Sequence, residues 1–139
     1  MSVFNIGVVG YCPPTRFDEP EARRMIKEAY NKIAEDHVGS DFVVVSGLTN
    51  VGVLAIAYAE AVRRGWKTIG VACERAMEHE LFPVDEQVVV GENWGDESEA
   101  FLNRLDCMVR VGTGSQSIRE TDAIRASGKP TYEYNLPPL

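Results

Sequence analysis

The residues best equipped for chemistry fall in one run, Arg110-Val111-Gly112-Thr113-Gly114-Ser115-Gln116-Ser117-Ile118-Arg119-Glu120. It follows a short apolar stretch, Asp106 to Val111, and leads into a polar, helix-like segment. A strand-to-helix turn of this composition is suited to hold an anion. Glycines let the backbone come close, hydroxyls donate hydrogen bonds, and the first N–H groups of a helix have no partner within it. A plainer reading makes Ser117 the helix N-cap and Glu120 its capping-box partner, with no ligand required. Three hydroxyl residues, Gln116 and two glycines in six positions exceed what a cap needs. They favour anion or nucleotide binding by Gly112, Thr113, Gly114, Ser115, Gln116 and Ser117. The run is not G-x-G-x-x-G, because Ser117 stands where the third glycine would, and it lacks the Gly-Lys-Ser/Thr of a Walker A loop. Arg119, read as lying in the first helical turn, sets a cation against the helix dipole and points to a carboxylate or phosphate partner.

Two other turns have a similar make-up. Ser46-Gly47-Leu48-Thr49-Asn50-Val51-Gly52 offers Gly47 and Thr49 to a ligand. Its plainer reading is a helix capped by Asn50. Gly52 inside the first helical turn costs about 1 kcal/mol relative to alanine, which close approach of a ligand or another backbone would account for. Gly10-Tyr11-Cys12-Pro13-Pro14-Thr15-Arg16 offers Gly10 and Thr15 to the same ligand, with Arg16 to reach a phosphate and Tyr11 to stack on a base. A surface loop explains this stretch equally well.

The elements that would bring these turns together are legible from hydrophobic pattern. Strands are expected at Val3 to Gly10, Asp41 to Gly47, Lys67 to Ala72, Gln87 to Gly91, Asp106 to Val111 and Pro130 to Leu136. Between them lie helical patterns. The first is capped by Asp18 with Glu21 as box partner. A nearly all-apolar helix spans Val51 to Arg64, another is capped by Asp96 with Glu99, and the last runs from Ser117 to Ser127. Glu74 to Val84 is less regular, with room for one short helix. This alternation predicts one α/β domain over residues 1–139, Rossmann-like and doubly wound. It would hold a mainly parallel sheet of about six strands with helices on both faces. Ligands of such sheets bind at the carboxyl ends of the strands, where strand order reverses. If the first and fifth strands are neighbours, the three turns meet over one crevice.

Composition limits the partners. The net charge of −7 and the absence of a basic stripe argue against nucleic acid and anionic membranes. A nest of N–H groups can still hold a small phosphorylated ligand within an acidic protein. The sequence shows no signal-peptide pattern and no apolar run long enough to span a bilayer, so a cytoplasmic location is expected. Cys12, Cys73 and Cys107 are odd in number and lack C-x-x-C spacing, which disfavours a disulfide framework. Glu74, Glu78, His79, Glu80 and Asp85 read as a solvated acidic face, and no metal-ligand spacing is found.

Together these motifs carry a family resemblance. Ser46-Gly47 through Gly52, an alanine-rich helix, Gly65 and Thr68-Ile69-Gly70-Val71 resemble one half of a pattern. Asp106 to Val111 with Gly112-Thr113-Gly114-Ser115-Gln116-Ser117, Glu120 and Gly128-Lys129-Pro130 resemble the other. The pattern is that of the superfamily of LOG-type proteins, molybdenum-cofactor carrier-like proteins and the DNA-processing protein A family. The resemblance implies a Rossmann-like nucleotide-binding domain that forms a homo-oligomer and requires no catalytic cofactor. It implies a nucleotide or phosphorylated derivative as ligand, held by a carrier or sensor. LOG-type enzymes instead use water to cut the base–ribose bond of a nucleoside 5′-monophosphate. Glu120 matches their motif glutamate. Glu97 stands where their arginine would, and Ser98 where a lysine follows it. Arg16 or Arg119 would then have to supply the positive charge for such chemistry.

Overall fold

The β-branched runs form strands and the amphipathic segments pack over them. A computed structural model describes residues 2–139. Met1, where the single-domain reading begins, lies outside the described residues. The elements are β1 (Val3–Gly10), α1 (Glu19–Asp36), β2 (Asp41–Ser46), α2 (Gly52–Arg63), β3 (Lys67–Ala72) and a short 3-10 turn (Glu74–Glu78). These are followed by β4 (Glu86–Val89), α3 (Ser98–Leu102), β5 (Cys107–Val111), α4 (Ser115–Ala126) and β6 (Thr131–Tyr134). The sheet order is β4-β3-β2-β1-β5-β6, and every neighbouring pair runs parallel. β1 and β5 are neighbours, with Gly10 opposite Val111, so the order reverses beside β1 as the crevice expectation required. This is the α/β Rossmann-like sheet expected from the alternation.

Both faces of the sheet are covered. On one, Ile6, Val8, Val44, Cys107 and Val109 pack against Ala22, Ile26, Ile33, Val53 and Ala57 of α1 and α2. On the other, Val43, Val45, Val71 and Met108 pack against Phe101, Leu105 and Ile124, from α3, the residues after it, and α4. Buried parallel strands have no solvated face, so they read as continuous apolar runs instead of alternating ones. No described helix is long and apolar enough to cross a membrane.

Several local expectations change. Asp18 does cap α1, accepting from the Glu21 N–H at 3.1 Å, but the Glu21 carboxylate turns to Arg24 and does not close the box. The N-cap of α2 is Val51, not Asn50. The Asn50 N–H instead donates to the Glu80 carbonyl at 2.9 Å. α3 starts at Ser98, and Asp96 caps a preceding turn by accepting from the N–H groups of Glu92 and Asn93. α2 is less enclosed than its composition implies. Val62 is 58% exposed, while Glu60 is buried because Arg63 and Arg64 neutralise it.

Two side chains fix the carboxyl ends of the central strands. The Tyr58 hydroxyl, fully buried, accepts from the Ser46 N–H at 2.9 Å. It lies within donating reach of the carbonyls of Gly47 at 2.7 Å and Ile69 at 3.0 Å. The Ser46 hydroxyl donates to the Val8 carbonyl at 2.7 Å, tying β2 to β1 beyond the end of their ladder. Tyr58→Phe would leave the buried Ser46 N–H without a partner. It is expected to lower the unfolding free energy by about 1–3 kcal/mol, measured by urea denaturation. A stability within error of the parent would contradict this role for the hydroxyl.

Candidate functional site

The cleft lies at the carboxyl ends of β1, β2, β3 and β5 and has a volume of about 390 Å³. Three loops built by different means form its walls. The loop after β2 is clamped from outside: Leu48 O accepts from Phe82 N, and Thr49 bridges to Leu81. The loop after β1 is held by Tyr11, whose hydroxyl donates to the Leu136 carbonyl at 2.7 Å. That hydroxyl also accepts from the Thr113 N–H at 3.0 Å. The ring lies where a Cβ on Gly112 would stand, and Gly112 has φ +107°. A side chain there would displace Tyr11, so this glycine serves packing between loops.

Gly52 is explained in the same way. It has φ +68°, and a Cβ on it would run into the Tyr11 carbonyl. That carbonyl accepts from the Val53 N–H at 2.9 Å, so the loop after β1 covers the N-terminal turn of α2. Gly10 likewise gives room to Val53 and to the Val111 carbonyl. The close approach inferred from Gly52 is that of another stretch of backbone.

α4 is different. It begins at Ser115, with Gly114 as N-cap and Ser115, Gln116 and Ser117 as its first three residues. Ser117 is therefore not the N-cap. No side chain caps this end and no acidic residue lies in its first turn. A Cβ on Gly114 would meet nothing, so the space above the turn is open. Ser117 is 8% exposed and lines the cleft, beside the exposed Ser115 and Gln116. An uncapped N-terminus with serines lining the cleft beside it matches the needs of a bound anion.

The fold gathers Gly10, Thr15, Gly47, Thr49, Gly114, Ser115, Gln116, Ser117 and Glu120 around this cleft. Four sequence candidates fall elsewhere. Gly112 is buried under Tyr11, and its carbonyl accepts from the Arg110 guanidinium. Thr113 spends its N–H on the Tyr11 hydroxyl. Arg16 faces a separate surface depression with Pro13, Phe17 and Leu139, because its carbonyl pairs with the Leu139 N–H. Arg119, fifth in α4 because the helix starts early, is exposed and does not line the cleft. Among the described residues, no lysine or arginine lines the cleft. Arg110, the buried cation nearest in sequence, is held by Glu133 at 3.2 Å and Asn135 at 3.0 Å.

Sequence reasoning did not place Leu48, Leu54, Val71, Ala72, Ala76 and Phe101, which give the cleft an apolar wall, or Trp94, while Glu97 and Ser98, singled out only as departures from the LOG-type pattern, line the cleft too. Trp94 is 54% exposed and its ring lies 5.9 Å from that of His79. The signal for it was a tryptophan in a polar loop between Gly91 and Gly95. No group of three or more His, Cys, Asp and Glu residues positioned to hold a metal ion occurs among the described residues.

Glu120 is the partly buried carboxylate of this site. Burial pushes its carboxyl above the ordinary range and the Glu97 charge adds to this, while the Ser98 hydroxyl, donating at 3.2 Å, opposes them. A folded pKa raised above the unfolded value of about 4.3 favours the protonated form. That contribution to stability is complete below the unfolded value and is lost as pH rises through the folded one.

No family model matches the sequence, and no curated protein matches it. Solved structures do. The molybdenum cofactor carrier protein of Chlamydomonas reinhardtii is 24% identical with a TM-score of 0.71, covering 94% of this chain and 75% of that one. The molybdenum cofactor binding protein of the phototrophic bacterium Rippkaea orientalis is 22% identical with a TM-score of 0.74, covering 97% and 78%. The chain has the fold of these cofactor-binding proteins. At these identities the fold is what is shared, and it agrees with the architecture that the sequence resemblance implied.

The burial of Glu120 has a consequence in the free protein. Glu120→Gln is expected to raise stability at pH 7, with the gain vanishing below about pH 4, where both proteins carry a neutral group. Urea midpoints at the two pH values measure it. A variant less stable than the parent at pH 7 would contradict this account of the carboxyl.

Proposed function

We propose that the cleft binds a nucleotide or phosphorylated nucleotide derivative, and that the protein acts as its carrier or sensor. The single observation that carries this reading is the start of α4, which no side chain caps and whose residues Gly114, Ser115, Gln116 and Ser117 line the cleft. The phosphate would rest on the N–H groups of Ser115, Gln116 and Ser117, with the hydroxyls of Ser115 and Ser117 completing its shell. Glu120 lies one turn further along α4, about 4.5 Å from Ser117 at the helical rise per residue. An acidic residue at that remove suits a ribose hydroxyl, which donates where a carboxylate accepts. The names of the two solved relatives, a carrier and a binding protein for a cofactor, support a carrier role.

The phosphoribohydrolase alternative draws support from Glu120, whose carboxyl is raised by burial, the direction that suits a proton-transfer group. It lacks a charge stabiliser: Glu97 occupies the arginine position and no cation lines the cleft among the described residues. A departing base and an oxocarbenium-like sugar would then meet two carboxylates and a few hydroxyls. Binding without turnover fits this arrangement better.

A thermal-shift screen against nucleoside monophosphates, ribose 5-phosphate and inorganic phosphate tests the reading. A ligand at about 100 Kd adds roughly 2.7 kcal/mol, a rise of about 8 °C for a domain of this size. Ser117→Ala is expected to weaken binding about tenfold or more by removing a hydrogen bond to a charged group. No shift with any phosphorylated compound would overturn the proposal. Release of free base by the parent, abolished in Glu120→Gln, would favour the hydrolase.

A further inference from the structure

The mouth of the cleft has a chemistry that its phosphate end does not explain. Glu97, Ser98 and Trp94 stand there together, with Glu120 behind them. The Glu97 carboxylate is held in place by the Gly95 N–H, which donates to its Oε2 at 3.1 Å. This leaves Oε1 and one lone pair of Oε2 free. The Glu120 carboxylate behind it is already engaged by Ser98, which donates to its Oε2, and by the Gln116 side chain. An ionised carboxylate only accepts hydrogen bonds. No lysine or arginine lines the cleft among the described residues, so no cationic side chain neutralises Glu97 there. Trp94, half exposed, lines the same cleft, as do the apolar side chains of Leu48, Ala76 and Phe101. A flat ring can stack on an indole and pack on apolar side chains, which leaves its polar edge for a carboxylate.

We propose that Glu97 and Trp94 form a specificity subsite for a flat heterocycle whose edge carries a ring N–H beside an exocyclic amine, as guanine does. This rests on the nucleotide reading above and names the class of base. The two adjacent donors pair with the two oxygens of one carboxylate in a bidentate arrangement. Adenine presents a bare ring nitrogen on that edge, and two lone pairs then face each other. Hypoxanthine keeps the ring N–H but lacks the amine, so it makes one of the two bonds. Trp94 contributes stacking, which is indifferent to the identity of the base. Glu120 is left for the sugar.

Isothermal titration of the full chain with GMP, IMP and AMP separates these contributions, in the parent and in Glu97→Gln, Trp94→Ala and Ser117→Ala. The parent is expected to bind GMP roughly tenfold or more tighter than AMP, with IMP between. Glu97→Gln should bring the three affinities together, because an amide offers a donor and an acceptor and so tolerates each edge. Trp94→Ala should weaken all three by a similar factor and keep their order. Circular dichroism melts of each variant show whether it is folded. AMP binding as tightly as GMP to the parent, with Ser117→Ala weakening both, would overturn the base assignment and leave the phosphate reading standing. A guanine preference that survives Glu97→Gln would overturn the role of Glu97. Binding of none of the three would overturn this proposal and the nucleotide reading together.

Discussion

Tyr11 ties the site to the fold. Its hydroxyl donates to the carbonyl of Leu136 and accepts the N–H of Thr113, its ring fills the space above Gly112, and its carbonyl holds the first turn of α2. One side chain and its backbone thus join the loop after β1 to the turn after β5, to the start of α2 and to the segment after β6. The parallel sheet requires such a link. It leaves the carboxyl ends of its strands as loops, and loops have no ladder to set their spacing. The glycines at positions 52 and 112 take positive φ values because Tyr11 and its carbonyl occupy the space a side chain would need. What looked like a glycine-rich ligand loop is partly the mould for this tyrosine.

The turn before α4 divides accordingly. Its first half, Gly112 and Thr113, belongs to packing. Its second half, Gly114 to Ser117, faces the cleft with an uncapped helix start. The contrast with α2 is instructive, since both helices follow a strand and a glycine and neither has a capping side chain. In α2 the Tyr11 carbonyl supplies the missing acceptor, whereas in α4 the same positions open onto the cleft. The positive end of α4 supplies attraction for an anion without any basic side chain. That matters in a chain of net charge −7, whose cleft is lined by two carboxylates.

Much of the fold was legible because a doubly covered parallel sheet imposes a strong pattern. Val43, Val44 and Val45 are buried on both sides of the sheet, Ile6 and Val8 are buried too, and these runs read as strands without ambiguity. The adjacency of β1 and β5 was only a condition in the sequence, because nothing local encodes strand order. The cap of α4 was misplaced because Ser117 has the chemistry of a capping residue, and only the backbone shows the helix starting at Ser115. Arg16 and Arg119 were drawn to the ligand by their charge, but direction from the backbone sends them elsewhere. Leu48 lines the cleft together with Trp94 and Phe101 from a segment far away in the sequence, and no spacing along the chain announces that. Glu97 and Ser98 were marked in the sequence as departures from a catalytic pattern. The fold places them at the cleft mouth, where a carboxylate in place of an arginine changes what the site can recognise.

The central proposal is that the start of α4 receives the phosphate of one ligand, whose remainder lies against the loops after β1 and β2. Amide chemical-shift mapping by NMR, with a nucleoside monophosphate titrated into the uniformly labelled protein, tests it most directly. The account predicts the largest shifts at the N–H groups of Ser115, Gln116 and Ser117, with smaller ones at Cys12, Thr15, Leu48 and Thr49. Shifts centred on the depression of Arg16 and Leu139, or none at saturating ligand, would contradict it.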